Sequence, residues 1–331
     1  MKVAVIGGGS WGSAFALHLG RKNIETRLWI REDDICKTAI QHRENTTFLP
    51  GAVFPPSVQF HCDIAGAVDS TEIVFIAVPS QFCRSVYTTL QPHLNSDHIV
   101  VSMTKGIEEG SLKRMSEVMA ELFFPRIKPK IVTLSGPSFA KEVAQAHPTA
   151  VVVASECPEA AQSIQVAISG PYFRAYTTDD VLGVELAGSL KNVIAIAAGI
   201  SDGLQFGDNS RAALITRGLA EITRLGLELG AKQETFAGLA GVGDLVLTCT
   251  GQLSRNHYVG SEIGRGKKLN AIISHMKMIA EGIKTALTGR QLAIRENVEM
   301  PIFEQAYLVL YKDKEPRTAL QDLMARKLKN E

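Results

Sequence analysis

The sequence lacks a surplus of charge of either sign, and it lacks long apolar runs. Its 331 residues include 35 lysines and arginines against 34 aspartates and glutamates, a formal net charge of +1. This balance gives no electrostatic basis for binding nucleic acid or an anionic membrane surface, so we expect neither partner. No run approaches the ~18 apolar residues of a membrane span, and the apolar start ends at Gly7, too early for a secretory signal. We therefore expect a cytoplasmic protein without stable membrane insertion.

Cysteine is also scarce. The 5 cysteines are an odd number without a Cys-x-x-Cys pair, and they lie at Cys36, Cys62, Cys83, Cys157 and Cys249. This spacing is typical of reduced cytosolic thiols and not of a disulfide framework. The 8 histidines and the cysteines form no group with metal-ligand spacing, so the sequence predicts no metal site.

Hydrophobic residues make up 45% of the chain, enough for a large core, and the length suggests about two domains. The first half alternates short β-branched runs with amphipathic stretches. The runs predict strands at residues 2–6, 26–30, 72–78, 98–103, 130–135 and 150–155. Because these runs are continuously apolar, the strands should be buried on both faces, as in a parallel sheet. The alternation predicts an α/β fold with a Rossmann-like, doubly wound, mostly parallel sheet.

The second half has a different pattern. From about Asp179 helix-forming residues dominate, and glycine-rich turns separate the helical patterns. These patterns cover residues 180–199, 210–229, 269–297, 302–311 and 318–330. We therefore predict an α/β domain over residues 1–179, followed by an all-α C-terminal domain over residues 180–331.

A glycine-rich motif follows the first predicted strand. Gly7, Gly9 and Gly12 form G-x-G-x-x-G between that strand and a helical pattern. In this context the glycines permit a tight turn and let backbone N–H groups approach a pyrophosphate at a helix N-terminus. The motif predicts dinucleotide binding, with Ser10 and Trp11 flanking the dinucleotide. A glycine-rich turn without a ligand is the alternative.

The end of the second strand bears on the choice between NAD(H) and NADP(H). An NAD site usually carries Asp or Glu there, whereas Arg suits the 2′-phosphate of NADP. Arg31 follows the strand, and the acidic residues 32–34 come directly after it. Arg31 favours NADP(H), but a shift of one residue would place an acid at the site, so both cofactors stay open.

Two later strands end in residues suited to a substrate, since ligands of such sheets bind beyond the carboxyl ends of the strands. Lys105 follows one strand, and Gly136 and Ser138 follow another. A lysine there suits an anionic or carbonyl substrate. A solvated loop lysine is the alternative, because surface lysines are common.

Lys191 lies in the otherwise apolar or small-residue run AGSLKNVIAIAAG (187–199). An unpaired buried charge is costly, so either the site needs the lysine or its side chain reaches water. On a helix, Lys191 shares its face with Val184, Ala187, Gly188, Ala195 and Ala198. These mostly small side chains leave room for another group to approach. The alternative is close helix packing with Lys191 paired to a carboxylate.

The C-terminal half supplies further polar candidates. Asp244 lies in GLAGVGDLVLTC, whose glycines resemble a second dinucleotide turn, but no strand precedes them, so we reject that interpretation. Ser254, Arg255 and Asn256 follow in TGQLSRNHYVG. Arginine beside neutral donors makes a good phosphate clamp, because guanidinium is planar, multidentate and always charged. A surface arginine is the alternative.

Six blocks in this order resemble the bacterial-type NAD(P)-dependent sn-glycerol-3-phosphate dehydrogenases. They are IGGGSWGSAFA, TKGIE, SGPSFAKEV, LAGSLKNVIAIAAGISDGLQFGDN, LAGVGDL and LSRN, within a resemblance that runs from Gly7 to about Glu281. The resemblance implies reversible hydride transfer between NAD(P)H and dihydroxyacetone phosphate, which gives glycerol 3-phosphate for phospholipid synthesis. Homodimers are common in that family.

The resemblance also implies residue roles. Lys191 would be the general acid/base at the C2 oxygen; burial and a second cation at Lys105 would lower its pKa, and a close Asp244 would oppose that shift. The residues implied to contact the substrate are Lys105, Gly136, Ser138, Lys191, Asp244, Ser254, Arg255 and Asn256. Those implied to line the cofactor, besides the glycine turn, are Ser10, Trp11, Arg31, Lys105, Ala140, Arg255, Ile279 and Glu281.

Two other functions stay open from the sequence. A related two-domain 3-hydroxyacid or sugar-acid dehydrogenase would also carry a lysine on a helix after the α/β domain, but it would not need the phosphate clamp. A non-catalytic NADP(H)-binding regulator would tolerate the loss of Lys191. The presence of Lys191 together with Asp244 and Arg255 counts against that function.

Overall fold

The computed structural model describes residues 1–276, 278 and 280–328, and the chain divides into two compact units. Unit 1 contains Met1–Lys105 and Lys113–Val184, and unit 2 contains Gly106–Leu112 and the chain from Glu185 onward. The last boundary between the units, from Val184 to Glu185, falls inside one long helix. The short segment after the fifth strand belongs to unit 2, so the chain passes three times from one unit to the other.

Unit 1 is built on one eight-stranded sheet. Its strands are β1 (Lys2–Ile6), β2 (Glu25–Trp29), β3 (Val58–His61), β4 (Ile73–Ile76), β5 (Ile99–Ser102), β6 (Lys130–Ser135), β7 (Thr149–Ala154) and β8 (Phe173–Thr178). The strand order is β3-β2-β1-β4-β5-β6-β7-β8, and every neighbouring pair is parallel except β6 with β7. The strand order reverses at β1, the switch point where ligands bind in doubly wound sheets. This topology confirms the predicted fold class.

The six strands predicted from the sequence are all present, each within two residues of its predicted ends. In β1, Val3 and Val5 enter one core and Ala4 and Ile6 enter the other, which explains the continuous apolar run. The prediction missed β3 and β8 because both are edge strands with alternating buried and exposed residues. A search for continuous apolar runs does not detect that pattern.

Helices cover both faces of this sheet. They are α1 (Ser10–Arg21), α2 (Asp33–His42), α3 (Ile64–Val68), α4 (Ser80–Leu90), α5 (Met115–Phe123), α6 (Ala140–Ala144) and α7 (Pro158–Ile168). Phe15 of α1 and Ile164 of α7 pack in the core on one face, and Tyr87 of α4 and Phe123 of α5 pack on the other. The two cores hold the sheet rigidly and so fix the positions of its carboxyl ends.

The expectation that all cysteines are reduced is wrong. Cys36, in the first turn of α2, and Cys62, directly after β3, form a disulfide with Cα atoms 5.6 Å apart. Their separation of 26 residues matches no motif, and it is the pairing of β2 with β3 that brings them together. The cross-link contributes about 2–4 kcal/mol to the free energy of unfolding. Cys83, Cys157 and Cys249 remain thiols.

The described part of unit 2 contains helices and no strand. Most of α8 (Val181–Gly203) is followed by α9 (Gly207–Glu228), α10 (Gln233–Ala237), α11 (Asp244–Thr250), α12 (Arg255–Gly264), α13 (Leu269–Ile273), α14 (Glu281–Arg295), α15 (Pro301–Tyr311) and α16 (Pro316–Met324). The predicted helical pattern over 269–297 is two helices, α13 and α14. The sequence pattern did not reveal this interruption because both segments are rich in helix formers.

By length and composition alone, α8 could cross a membrane, contrary to the expectation from the sequence. Its apolar 18-residue window is 89% buried inside the protein, however. A helix that is hydrophobic on all sides is also what the centre of a large protein requires. We therefore interpret α8 as a core helix.

A buried carboxylate closes the N-terminus of α15. Glu221 of α9 is 3% exposed, and its two oxygens accept the backbone N–H of Ile302 at 3.0 and 3.1 Å. Burial raises the pKa of Glu221 to about 7, although N–H donors of α15 and the charges of Arg224 and Arg326 oppose the rise. The folded protein therefore keeps a proton on Glu221 at pH values where the unfolded chain releases it.

Replacing Glu221 by Gln should change the pH dependence of stability. Because the folded-state pKa is raised, the contribution of this carboxyl to stability is greatest below its ordinary pKa and is lost as the pH rises to about 7. Glu221→Gln keeps an oxygen for the N–H of Ile302 but does not ionise. From about pH 5 to about pH 8, denaturant unfolding should show the unsubstituted protein losing about 2–3 kcal/mol relative to the variant. Parallel pH profiles for the two proteins would contradict this account.

Candidate active site

The glycine motif forms a turn that only glycine fits. Gly7 has φ +116°, and a Cβ there would lie 2.7 Å from the carbonyl oxygen of Ala77. A Cβ on Gly12 would lie 1.9 Å from the carbonyl oxygen of Gly7. At Gly9 no described atom lies within 4 Å of the Cβ position, so this face of the turn is open. The motif thus combines a tight turn with an accessible backbone.

The open face leads to the N-terminus of α1. The helix begins at Ser10, and within the described residues no side chain caps it and no acid occupies its first turn. The positive end of the helix dipole and its N–H groups therefore suit a pyrophosphate. Ser10 Oγ donates to the carbonyl of Phe48 at 2.7 Å, and Trp11 packs on Phe15 with ring centroids 5.7 Å apart. The residues present fit a dinucleotide.

Arg31 lies two residues beyond β2, with its side chain 60% exposed. Its Nη2 donates to Glu32 Oε1 at 2.5 Å, and its guanidinium carbon lies 5.2 Å from the ring centroid of Phe82. A 2′-phosphate on NADP would compete with Glu32 for Arg31, whereas the Glu32 carboxylate could accept the ribose hydroxyls of NAD. The arrangement offers a polar partner to either coenzyme.

Three predicted residues of unit 1 meet beyond the parallel strands β5 and β6. Lys105 Nζ and Ser138 Oγ both donate to the carbonyl oxygen of Gly136, each at 3.0 Å. Gly136 has φ +127°, and a Cβ there would lie 3.0 Å from the Cα of Val151, so the turn after β6 requires glycine. Ala140 begins the short helix α6 that follows.

Lys191 is buried near the middle of α8 and has two partners on α11. Its side chain is 6% exposed, and Nζ donates to Asp244 Oδ1 at 2.5 Å and to Thr248 Oγ1. The Thr248 hydroxyl in turn donates to the backbone carbonyl of Asp244 at 2.6 Å. Asp244 is 1% exposed and Thr248 is 4% exposed. The lysine paired to a carboxylate, left as an alternative from the sequence, is what the structure contains.

A glycine-rich turn positions the Asp244 carboxylate next to Lys191. Leu239–Gly243 forms one π-helical turn, and Asp244 begins α11 directly after it. A Cβ on Gly241 would lie 2.1 Å from the carbonyl oxygen of Phe236, so this turn also needs glycine. Helices precede the turn, which confirms that its glycines are not a second dinucleotide motif.

Burial of this pair is costly for folding and informative about chemistry. Removing two charges from water is repaid only when the geometry is good and the remaining hydrogen bonds are satisfied. The neighbouring thiol of Cys249 cannot serve as a second base, because burial raises its pKa to about 12. Where α8 meets α11, Lys191 and Asp244 are thus the groups suited to proton transfer.

The predicted phosphate clamp lies at the start of α12. Ser254 caps the helix, accepting the N–H of His257 at 3.2 Å. Arg255, the first residue of α12, is exposed as a residue. Desolvation by the surrounding protein lowers the pKa of its guanidinium, and the charge of Glu281 opposes that change. Glu281 begins α14. Ile279, a predicted cofactor residue, lies outside the described residues.

Asn256 has a structural role in unit 2. It is 8% exposed, its Nδ2 donates to Asn192 Oδ1 at 2.9 Å, and its Oδ1 accepts the N–H of Gly282 at 3.0 Å. These bonds join α8, α12 and α14. A substrate contact at Asn256 stays a prediction, because both amide atoms of its side chain already bond within the protein.

The sequence interpretation missed two residues of this region. Thr248 hydrogen-bonds to Lys191. The sequence feature that could have indicated this is a hydroxyl side chain one helical turn after Asp244. Asn192, which joins the Asn256 network, stands next to Lys191 in the sequence. Among the residues that the structure describes, no group of three His, Cys, Asp or Glu could hold a metal ion.

A glycine turn shaped for a pyrophosphate on a doubly wound sheet, together with a buried lysine–carboxylate pair in a helical unit, is typical of dinucleotide-dependent dehydrogenases. Family models agree with this class. The N-terminal model of the NAD-dependent glycerol-3-phosphate dehydrogenases matches residues 2–161, and the C-terminal model matches residues 180–321.

Individual relatives match along the whole chain. The NAD(P)+ glycerol-3-phosphate dehydrogenase of Citrifermentans bemidjiense is 51% identical over 330 residues, covering 100% of this chain and 98% of that protein. That of Syntrophobacter fumaroxidans is 49% identical over 329 residues, covering 99% and 97%. The crystal structure of the Coxiella burnetii glycerol-3-phosphate dehydrogenase has a TM-score of 0.94 at 39% identity, covering 98% of this chain and 99% of that one. The chain belongs to the NAD-dependent glycerol-3-phosphate dehydrogenase family.

Replacing Arg31 by Ala tests how the coenzyme is chosen. If Arg31 binds the 2′-phosphate, the variant loses one charge-assisted interaction, worth about 1.5–3 kcal/mol. The kcat/KM for NADPH should then fall by about 10-fold to 150-fold, while that for NADH stays within about threefold. Steady-state kinetics with each reduced coenzyme measures both values.

Lys37→Ala, which removes an exposed cation from the nearby helix α2, is the matched control and should change neither value. Equal losses with NADPH and NADH in Arg31→Ala would show that Arg31 does not read the phosphate.

Proposed function

We propose that this protein interconverts sn-glycerol 3-phosphate and dihydroxyacetone phosphate with NAD(H) or NADP(H). The observation that carries the proposal is the buried Lys191–Asp244 pair, in a chain that matches glycerol-3-phosphate dehydrogenases over its whole length. A dinucleotide turn supports the coenzyme requirement. Bound coenzyme supplies or accepts the hydride at the substrate C2.

We assign different tasks to the two predicted domains. Residues 1–179 bind the dinucleotide, with the turn from Gly7 to Gly12 holding the pyrophosphate and Arg31 near the adenosine ribose. Residues 180–331 bind the substrate and supply the proton-transfer group. The residues predicted to contact the substrate are Lys105, Gly136 and Ser138 in residues 1–179, and Asp244, Ser254, Arg255 and Asn256 in residues 180–331.

Lys191 carries the proton in this proposal. During reduction of the carbonyl its ammonium gives a proton to the C2 oxygen, and during oxidation of the alcohol its amine takes that proton back. Asp244 and Thr248 hold Nζ from the side of α11, which fixes the position of the ammonium group. While Lys191 is an ammonium, its pair with Asp244 is neutral overall, which lowers the cost of burying the two charges.

The anionic end of the substrate requires cations. Arg255 supplies a guanidinium at the start of α12, where the helix N-terminus also favours negative charge. Lys105 presents an ammonium beside the carbonyl of Gly136. A phosphate monoester carries close to two negative charges near neutral pH, which suits two cationic side chains.

The reaction would serve glycerophospholipid synthesis in the cytoplasm, and the protein would act as a homodimer. The role in phospholipid synthesis and the homodimer follow from what the family resemblance implies, and the cytoplasmic location is the expectation from the sequence. Size-exclusion chromatography with light scattering measures the oligomeric state directly.

A spectrophotometric assay tests the proposed activity. The purified protein is mixed with NADH or NADPH and with dihydroxyacetone phosphate, and absorbance of the reduced coenzyme is followed. We expect oxidation that depends on dihydroxyacetone phosphate, and none with a 3-keto acid that lacks phosphate. Oxidation with the keto acid alone would favour a 3-hydroxyacid dehydrogenase. Coenzyme binding without turnover of either compound would favour a non-catalytic regulator.

A further inference from the structure

The phosphate clamp sits on a helix whose backbone touches that of α8. A Cβ on Gly199 of α8 would lie 2.1 Å from the carbonyl oxygen of His257, and a Cβ on Gly260 of α12 would lie 2.0 Å from the carbonyl oxygen of Ile196. Such contacts leave no room for a side chain between the helices. The glycines bring the two axes close, but their smooth surfaces do little to fix rotation or sliding of one helix on the other.

The Asn192–Asn256 bond is one constraint on that movement, and a polar cluster supplies a second. His257 Nε2 lies 2.8 Å from Asp202 Oδ2, in the last turn of α8. Since an ionised carboxylate only accepts hydrogen bonds, Nε2 carries the proton of this contact. Arg211 of α9 donates from Nη1 to the same Asp202 oxygen at 3.0 Å and also pairs with Asp208. Three helices are therefore tied at one carboxylate.

The contact between Asp202 and His257 is partly buried and adjoins the clamp. The side chains of Asp202 and His257 are 20% and 18% exposed. His257 is two residues after Arg255, and its own N–H bonds the capping Ser254 Oγ at 3.2 Å. The first turn of α12 is thus held at His257 by a main-chain bond and a side-chain bond together.

We propose that His257 and Asp202 are positioning residues for phosphate binding: they fix the first turn of α12 on α8, so that Arg255 keeps its place relative to Lys191. The inference rests on the proposed function, since it assumes that Arg255 binds the substrate phosphate. Neither residue touches the reacting atoms in this proposal. Their loss should therefore weaken substrate binding and leave the proton-transfer step intact.

The test is steady-state kinetics on the full-length protein with dihydroxyacetone phosphate. In His257→Ala and in Asp202→Ala, KM should rise about tenfold, as for one lost hydrogen bond to a charged group, and kcat should stay within about threefold. Inorganic phosphate, as a competitive inhibitor, should bind more weakly by a similar factor. The double variant should match Asp202→Ala, because both substitutions break the His257–Asp202 contact and Asp202→Ala also removes the contact with Arg211.

Two further variants separate positioning from general damage to the fold. His257→Gln can place an amide N–H near the position of Nε2, so it should restore KM to within about threefold of the unsubstituted value. Tyr258→Ala removes the next side chain on α12, which is 49% exposed, and should leave KM unchanged.

Several results would overturn the inference. They are a loss of kcat at unchanged KM in His257→Ala, additive effects in the double variant, or no rescue by Gln. Inactivity of the unsubstituted protein with dihydroxyacetone phosphate would overturn the proposed function and this inference with it. An active protein whose His257→Ala variant keeps its KM would overturn this inference alone.

Discussion

The ion pair between Lys191 and Asp244 is the constraint on which unit 2 depends. Both side chains are almost fully buried, so the helices that carry them must hold Nζ and Oδ1 in contact or leave an uncompensated charge. That requirement explains the hydroxyl of Thr248, the glycine turn that starts α11, and the apolar surroundings of α8. Proton transfer at a carbonyl oxygen is a use that fits the chemistry of this pair.

The proposed coenzyme site of unit 1 and the proposed substrate site of unit 2 are built differently. In unit 1 the proposed site consists mainly of backbone atoms. Gly7 and Gly12 form a turn that no other residue fits, and the N–H groups at the start of α1 are not capped by a side chain. In unit 2 the proposed site consists of side chains that bond to neighbours: Lys191 bonds Asp244, and Ser254 bonds the N–H of His257. We therefore expect unit 1 to tolerate few substitutions at its glycines, and unit 2 to be sensitive at paired polar residues.

Local signals in the sequence were enough for much of this structure. The glycine motif, the buried strands and the lone lysine of α8 each depend on residues close in sequence, and each was predicted. Edge strands β3 and β8 were missed because only one of their faces is apolar. The Cys36–Cys62 disulfide, the Thr248 hydroxyl and the Asp202–His257 contact depend on distant segments meeting, which a single sequence without tertiary information does not encode in any short pattern.

The most direct test of the account replaces Lys191 by Ala, alone and together with Asp244→Asn, which removes the carboxylate that would otherwise stay buried without its partner. Coenzyme affinity, followed by titration with NADH and NADPH, should be retained, because the dinucleotide turn lies in unit 1. Turnover of dihydroxyacetone phosphate should fall by about 10²–10⁴ in both variants, the usual share of general acid–base catalysis. Near-normal kcat in a folded Lys191→Ala protein would contradict the central claim that this lysine carries the proton.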